Sequence, residues 1–187
     1  MRSSTLQSIE QALQRLQTHA SYDSKCESSF LFSLRPYRGL KPEVFADLID
    51  TLISLAPVFQ QDTIPRSVVA DSFSIIALAR SWGLSRNGLL RRNKLISDID
   101  CDRLERWLAT LEATVHAALH RDTTEEVAWP YISYFVREDR ELPAVFLVPL
   151  ANKMLTSQEE GVPETAAEFL EIALRGLKGQ NDFCESF

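Results

Sequence analysis

The chain has 187 residues, 45% hydrophobic and 25% charged, a balance that excludes intrinsic disorder. A chain of this length buries roughly 70% of its unfolded surface and needs neither a disulfide nor a metal for stability. The net charge of −6 is uneven: 15 basic and 13 acidic residues precede Asp122, whereas 5 basic and 13 acidic residues lie from Asp122 onward, so the C-terminal third repels nucleic acid at long range.

In chain order, Leu6, Ile9, Leu13, Leu16 and Ala20 step by three and four, which predicts a first helix with one apolar face. Gln14, Gln17 and Thr18 fall elsewhere on the wheel. The polar segment Ser21 to Ser29 breaks the pattern and tethers this helix to a short apolar group at Phe30, Leu31, Phe32 and Leu34. A helix so tethered packs on its own domain or on a second copy of the chain. Leu34 to Glu43 holds two prolines and a glycine, so it reads as a loop.

Pro42 suits a helix first turn, where its missing N–H is not needed. Val44, Phe45, Leu48, Ile49, Leu52, Ile53 and Leu55 then predict a broad apolar stripe, ended or kinked at Pro57. Pro65 opens a helix of similar design through Val68, Val69, Phe73, Ile75, Ile76 and Leu78. Its scarcity of charge predicts the most buried helix, with Gly83 as its C-terminal cap. Residues 83–100 hold at most one short helix, after which Asp100 or Asp102 caps a helix to about Arg121. Leu104, Trp107, Leu108, Leu111, Val115, Ala118 and Leu119 are its expected core.

Thr124, Glu125 and Glu126 begin another helix, which either kinks at Pro130 or begins again at Tyr131. There the wheel assigns Ile132, Phe135 and Val136 to the core and leaves Trp129 and Tyr131 to core or partner surface. The run from Pro143 to Leu150 reads as a helix broken at Pro149, with a buried strand at Ala144 to Val148 as the alternative. A last helix is expected from Pro163 to Gly179. The sum is an all-α chain, one domain over 1–187, built as an antiparallel bundle or stacked hairpins of about seven to eight helices.

Cys26, Cys101 and Cys184 are widely spaced and form no C-x-x-C, against a disulfide framework or a cysteine zinc site. The first seventeen residues lack an apolar stretch of signal-peptide type, and Pro143 to Leu150 is too short to span a bilayer. The expectation is a soluble, cytoplasmic protein with no membrane contact. No G-x-S-x-G, no glycine-rich phosphate loop and no G-x-G occur, so nucleophilic or dinucleotide chemistry has no sequence support and no cofactor is expected.

Three groups carry possible chemistry. In the proline-stiffened loop before Pro42, Arg35, Tyr37, Arg38 and Lys41 stand where cations and a helix start favour an anion or an acidic partner. A structural corner explains the same residues. In 77–95, Ala79, Gly83, Leu84 and Leu89 resemble a helix-turn-helix, with Arg86, Asn87, Arg91, Arg92 and Lys94 as the side chains that read bases and phosphates. Arg92 stands where that pattern packs an apolar residue and Gly88 falls inside the second helix, so specific DNA binding is expected to be weak or absent. Third, Glu112, His116 and His120 share one helix strip beside the apolar stripe, the placement of a metal site in a bundle. The chain has no H-E-x-x-H and no Glu-x-x-His, which leaves no second ligand source, and no metal is expected. A non-enzymatic helical interaction or regulatory domain is the leading expectation, its partner a protein or a second copy. A helix-turn-helix-like regulator and a metal-dependent bundle enzyme are the alternatives.

Overall fold

A computed structural model describes residues 2–23, 26, 28–120 and 124–137. The expected elements at 143–150 and 163–179, the side chains of Leu6, Phe135 and Val136, Cys184 and the proposed helix end at Arg121 lie outside what is described. The regular structure among the described residues is all helical, with a single isolated bridge between Leu34 and Tyr37 and no strand. Among them, no helix is long and apolar enough to cross a membrane.

Helix α1, Arg2–Ala20, buries Ala12, Leu16 and His19 on one line and lies against α3, Pro42–Ser54, and α5, Arg66–Ala79. The tethered first helix therefore packs within its own chain. Ser29 stops the polar segment: its Oγ accepts the Phe32 N–H at 3.2 Å and starts α2, Phe30–Leu34, which is buried along its whole length. Gly39 adopts φ +86, a conformation open to glycine, and turns the chain toward α3. Pro42 occupies the first position of α3. That helix ends at Ser54, and α4, Ala56–Phe59, follows with Pro57 in its first turn.

Among the longer helices the most buried is α3, with Val44, Phe45, Ala46, Leu48, Ile49, Thr51, Leu52 and Ile53 all inside. The expectation for α5 is corrected: it buries only Val68, Ser72, Ile75 and Ala79, one narrow stripe, and shows Val69 and Phe73 to solvent. Its last turn widens over Arg80–Leu84, where the Ser85 N–H donates to the Arg80 carbonyl at 3.0 Å. Gly83 lies inside this wide turn at negative φ and is no left-handed cap. It is glycine because a Cβ there would collide with the Leu104 side chain.

Gly88 is also corrected, because it precedes the next helix instead of interrupting it: α6 is a single turn, Leu89–Arg92. A Cβ on Gly88 would press on the Ser81, Trp82 and Ser85 carbonyls, which is why this corner needs a glycine. Ser97, neither Asp100 nor Asp102, caps α7, Asp98–Leu119, by accepting the Asp100 N–H at 3.0 Å. Asp98 and Asp100 then sit in the first turn, where negative charge opposes the helix dipole. Leu119, expected in the core, is exposed, and Val115 is partly buried.

A short connection returns the chain into α8, Thr124–Arg137, which packs along α7. Of the two alternatives at Pro130, the restart at Tyr131 is corrected: α8 is one helix with Pro130 inside it. Tyr131 and Ile132 are buried, whereas Trp129 is exposed. The centre of the core is aromatic: Phe45 stacks on Trp107 at 4.6 Å with rings 1° from parallel, and Tyr131 and Tyr134 meet Phe45 edge-on. Trp107 Nε1–H donates to the Tyr134 hydroxyl at 2.8 Å, so the indole is buried with its polar edge satisfied.

Candidate functional site

Two of the sequence-predicted groups meet. The loop after α2 and the segment after α5 are about fifty residues apart, yet both close on the N-terminal end of α7. The Arg35 guanidinium lies over the Trp82 ring at 5.3 Å and the Tyr22 ring at 5.9 Å, and those two rings pack edge-on. Such stacking holds the guanidinium plane while leaving its N–H edges free to meet an anion. The Arg35–Pro36 peptide is cis. Tyr37 donates its hydroxyl hydrogen to Asp100 Oδ2 at 2.9 Å, tying the loop to the first turn of α7. Burial, reinforced by that bond to a carboxylate, pushes the Tyr37 phenol above its ordinary value. The Arg38 guanidinium sits 4.2 Å from the Phe32 ring centroid, and Lys41 is the residue at which α3 begins.

Across this corner Arg86, Asn87, Arg91, Arg92 and Lys94 are all exposed. Arg91 reaches the exposed Asp98 at 3.7 Å, a weak surface pair. Leu95 N–H donates to the Leu90 carbonyl at 2.9 Å and Lys94 N–H to the Arg91 carbonyl at 3.1 Å, which closes α6. In that closure Lys94 takes φ +54, the left-handed position usually held by glycine. The helix-turn-helix resemblance reaches only the turn, since a one-turn α6 is too short to lie along a DNA groove.

The third group does not assemble as a ligand set. Glu112 pairs with Arg80, on the wide turn after α5. His116 and His120 are exposed with ring centroids 4.2 Å apart. Among the described residues no three His, Cys, Asp or Glu side chains converge as a metal site would require.

A partly buried polar cluster is not marked in the sequence. His19 Nε2 is 2.9 Å from Asp47 Oδ2, and the Phe30 N–H donates to His19 Nδ1 at 3.3 Å. Since Nδ1 accepts, Nε2 carries the hydrogen and donates to Asp47. Arg15 also pairs with Asp47, and with Asp50 at 3.0 Å. The His19 hydrogen bond, helped by Arg15, holds the Asp47 carboxyl below its ordinary 3.8. Ser29 is close by, which gives the composition of a Ser–His–Asp triad but not its geometry. Its Oγ faces the His19 and Ser21 backbone carbonyls and accepts from Phe32, and both ring nitrogens of His19 are occupied. The imidazole has no free lone pair with which to take a proton from Ser29. The cluster therefore fastens α1, α2 and α3 together. No sequence signal marks it, because 28 residues separate His19 from Asp47.

An apolar groove runs between α5 and the C-terminal half of α7. Phe59, Val69, Phe73, Ile76, Val115 and Leu119 line a pocket of about 90 Å³. Phe73 is 70% exposed, far beyond what a core phenylalanine shows.

No known protein family, curated protein or solved structure matches the chain.

Proposed function

We propose that the protein is a non-enzymatic, helical interaction domain whose contact surface is the basic end formed by the 35–41 loop and the 80–94 segment. The observation that carries this reading is Arg35, fixed over Trp82, which joins the two basic segments into one surface. Stacked arginine presents a flat, bidentate edge to carboxylates at low entropic cost. Arg86, Arg91, Arg92 and Lys94 extend the same charge. The partner chemistry is an acidic protein segment. Duplex DNA fits less well, because α6 is one turn long and the chain as a whole carries −6.

The test uses full-length protein and a labelled oligo-glutamate peptide, with a labelled DNA duplex as competitor, read by fluorescence anisotropy at low salt. Arg35→Ala combined with Arg92→Ala should weaken the peptide by on the order of tenfold, while Arg66→Ala on α5 should not. Peptide binding that falls equally with Arg66→Ala would overturn the surface. Tighter, sequence-selective binding of the duplex would replace this reading with nucleic-acid recognition. Light scattering on the same samples separates binding to a foreign acidic segment from pairing of two copies.

A further inference from the structure

We infer that His116 and His120 form half of a zinc-type metal site, completed by the same two histidines of a second copy of the chain. Both stand at the C-terminal end of α7, roughly 27 Å along the helix from the basic surface at its start, and the site does not depend on that surface. The two rings are exposed, with centroids 4.2 Å apart and planes at 39°. Neither ring forms a hydrogen bond or an ion pair among the described residues. Glu112, a turn earlier, is held by Arg80 and stays out of the set. Two histidines four residues apart on one helix face are a chelating pair.

The donors decide the class of ion. Neutral imidazoles select zinc, copper or nickel over magnesium and calcium, which take oxygen ligands. Tetrahedral zinc at its usual bond length sets two donor nitrogens about 3.3 Å apart. Rings whose centroids already lie 4.2 Å apart reach that separation by turning their side-chain torsions, with the helix unchanged. The place also suits a cation. His120 is the C-cap of α7, beside the last carbonyls and the negative end of the helix dipole.

A closed zinc site takes four ligands, and this helix presents two. The surface beside the pair supports a second copy as the source of the others. Leu119, next to His120 and one turn on from His116, is 43% exposed. Across the groove on α5, Phe73 is 70% and Val69 41% exposed. Exposed apolar residues gathered in one place mark an association surface. Arg80 and Glu112, on the same side, cancel each other's charge, so two identical surfaces meet there without repulsion from that pair. A two-fold axis through the ion sets each histidine pair against its counterpart, and the apolar residues of both copies flank it.

The experiment uses untagged full-length protein, stripped with EDTA and exchanged into a buffer that does not bind metal. Equilibrium dialysis against zinc chloride should find one ion per two chains. Light scattering on the same samples should show the mass doubling with zinc and returning when EDTA is added. Magnesium chloride should do neither. His116→Gln and His120→Gln change exposed side chains, and circular dichroism checks that each variant folds. Each should weaken zinc by on the order of a hundredfold and abolish the doubling, because a single imidazole loses the gain of chelation. Glu112→Gln should leave both readouts unchanged. Zinc held equally well by the variant lacking both histidines would overturn the site. Zinc bound at one ion per chain with no change in mass would overturn its sharing between copies. A dimer that persists in EDTA would do the same, since apolar contact alone would then hold it.

Discussion

Helices α3 and α5 are introduced alike, by a proline, and both carry aliphatic and aromatic residues with few charges. They end in opposite places. Around α3 stand α1, α2, α7 and α8, and two adjoining stripes of its surface are covered. Around α5 the covering elements α1, α2 and α7 leave one side open, and Phe73 points there. Burial is thus a property of neighbours, and two helices of similar apolar content differ in exposure for that reason. Covered apolar surface on α3 stabilises the fold; the apolar surface of α5 at Val69 and Phe73 stays open to solvent.

The largest test of this contrast is a pair of truncations. Phe45 is fully buried and stacked on Trp107, so Phe45→Ala is expected to cost about 3–5 kcal/mol. Phe73→Ala removes the same atoms from an exposed site and is expected to cost about 1 kcal/mol or less. Urea denaturation of both variants measures the difference. Equal losses would show that α5 is covered as completely as α3, and the comparison would fail.

The next effect concerns how α5 ends. In and just after its wide last turn, Gly83 lets Leu104 approach and Gly88 lets three carbonyls approach. Backbone carbonyls yield less than a side-chain methyl. Gly88→Ala is therefore expected to cost about 2–3 kcal/mol, and Gly83→Ala roughly 1–2 kcal/mol, each read as a shift of the denaturation midpoint. Adding Leu104→Val to Gly83→Ala should recover part of the loss, since the pair share one space. Additive losses would remove that contact as the reason for glycine.

These two glycines also show how much was legible in the sequence. The stripe from Val44 to Leu55 declared α3, and the spacing Leu104, Trp107, Leu108, Leu111 declared α7, because local periodicity is enough to define a helix face. Which helix is covered depends on distant elements, so the apolar content of α5 does not reveal its open side. Gly83 read as a cap because a glycine after an apolar run usually is one; its actual constraint, Leu104, lies twenty-one residues on. The members of the basic end were visible as Arg35, Tyr37, Arg38 and Arg86 to Lys94, but their meeting was not. Trp82 joins them, and an aromatic residue amid a basic run was the available signal.

Acid should act on α3 and α5 with opposite sign: burial raises the Asp71 carboxyl of α5, so its protonation favours the fold, whereas the protonation of Asp47 on α3 weakens it. Asp47, on α3, has its carboxyl held down in the folded state by His19 and Arg15. A depressed folded value adds stability that is present above the unfolded value of 3.8 and is lost as pH falls through the folded one. Stability measured from neutral pH downward should therefore be level at first and then decline below the ordinary carboxylate range. Asp47→Asn should flatten part of that decline. Because Asp47 is about half exposed, solvent screens the effect and the change is small. A decline of unchanged steepness in Asp47→Asn would place the acid sensitivity elsewhere.

The smallest expected effect has the opposite sign, and it bears on the basic end that α5 leads into. Lys94 holds φ +54 with its side chain exposed, so the chain there carries a left-handed residue with no packing to justify it. A non-glycine residue in that region costs roughly 1–2 kcal/mol, part of which glycine returns as unfolded-state entropy. Lys94→Gly is therefore expected to stabilise the protein by about 0.5 kcal/mol. Lys94→Ala keeps the strained backbone and should not stabilise. Both variants remove the same charge, so both should weaken the oligo-glutamate probe to a similar extent. A residue kept at the expense of backbone strain, whose removal strengthens the fold and weakens binding, is one whose side chain serves the surface. If Lys94→Gly instead lowers stability, the α6 closure is held by contacts of the lysine stem; if it leaves probe binding unchanged, the interaction surface stops short of Lys94 and centres on Arg35 and Trp82.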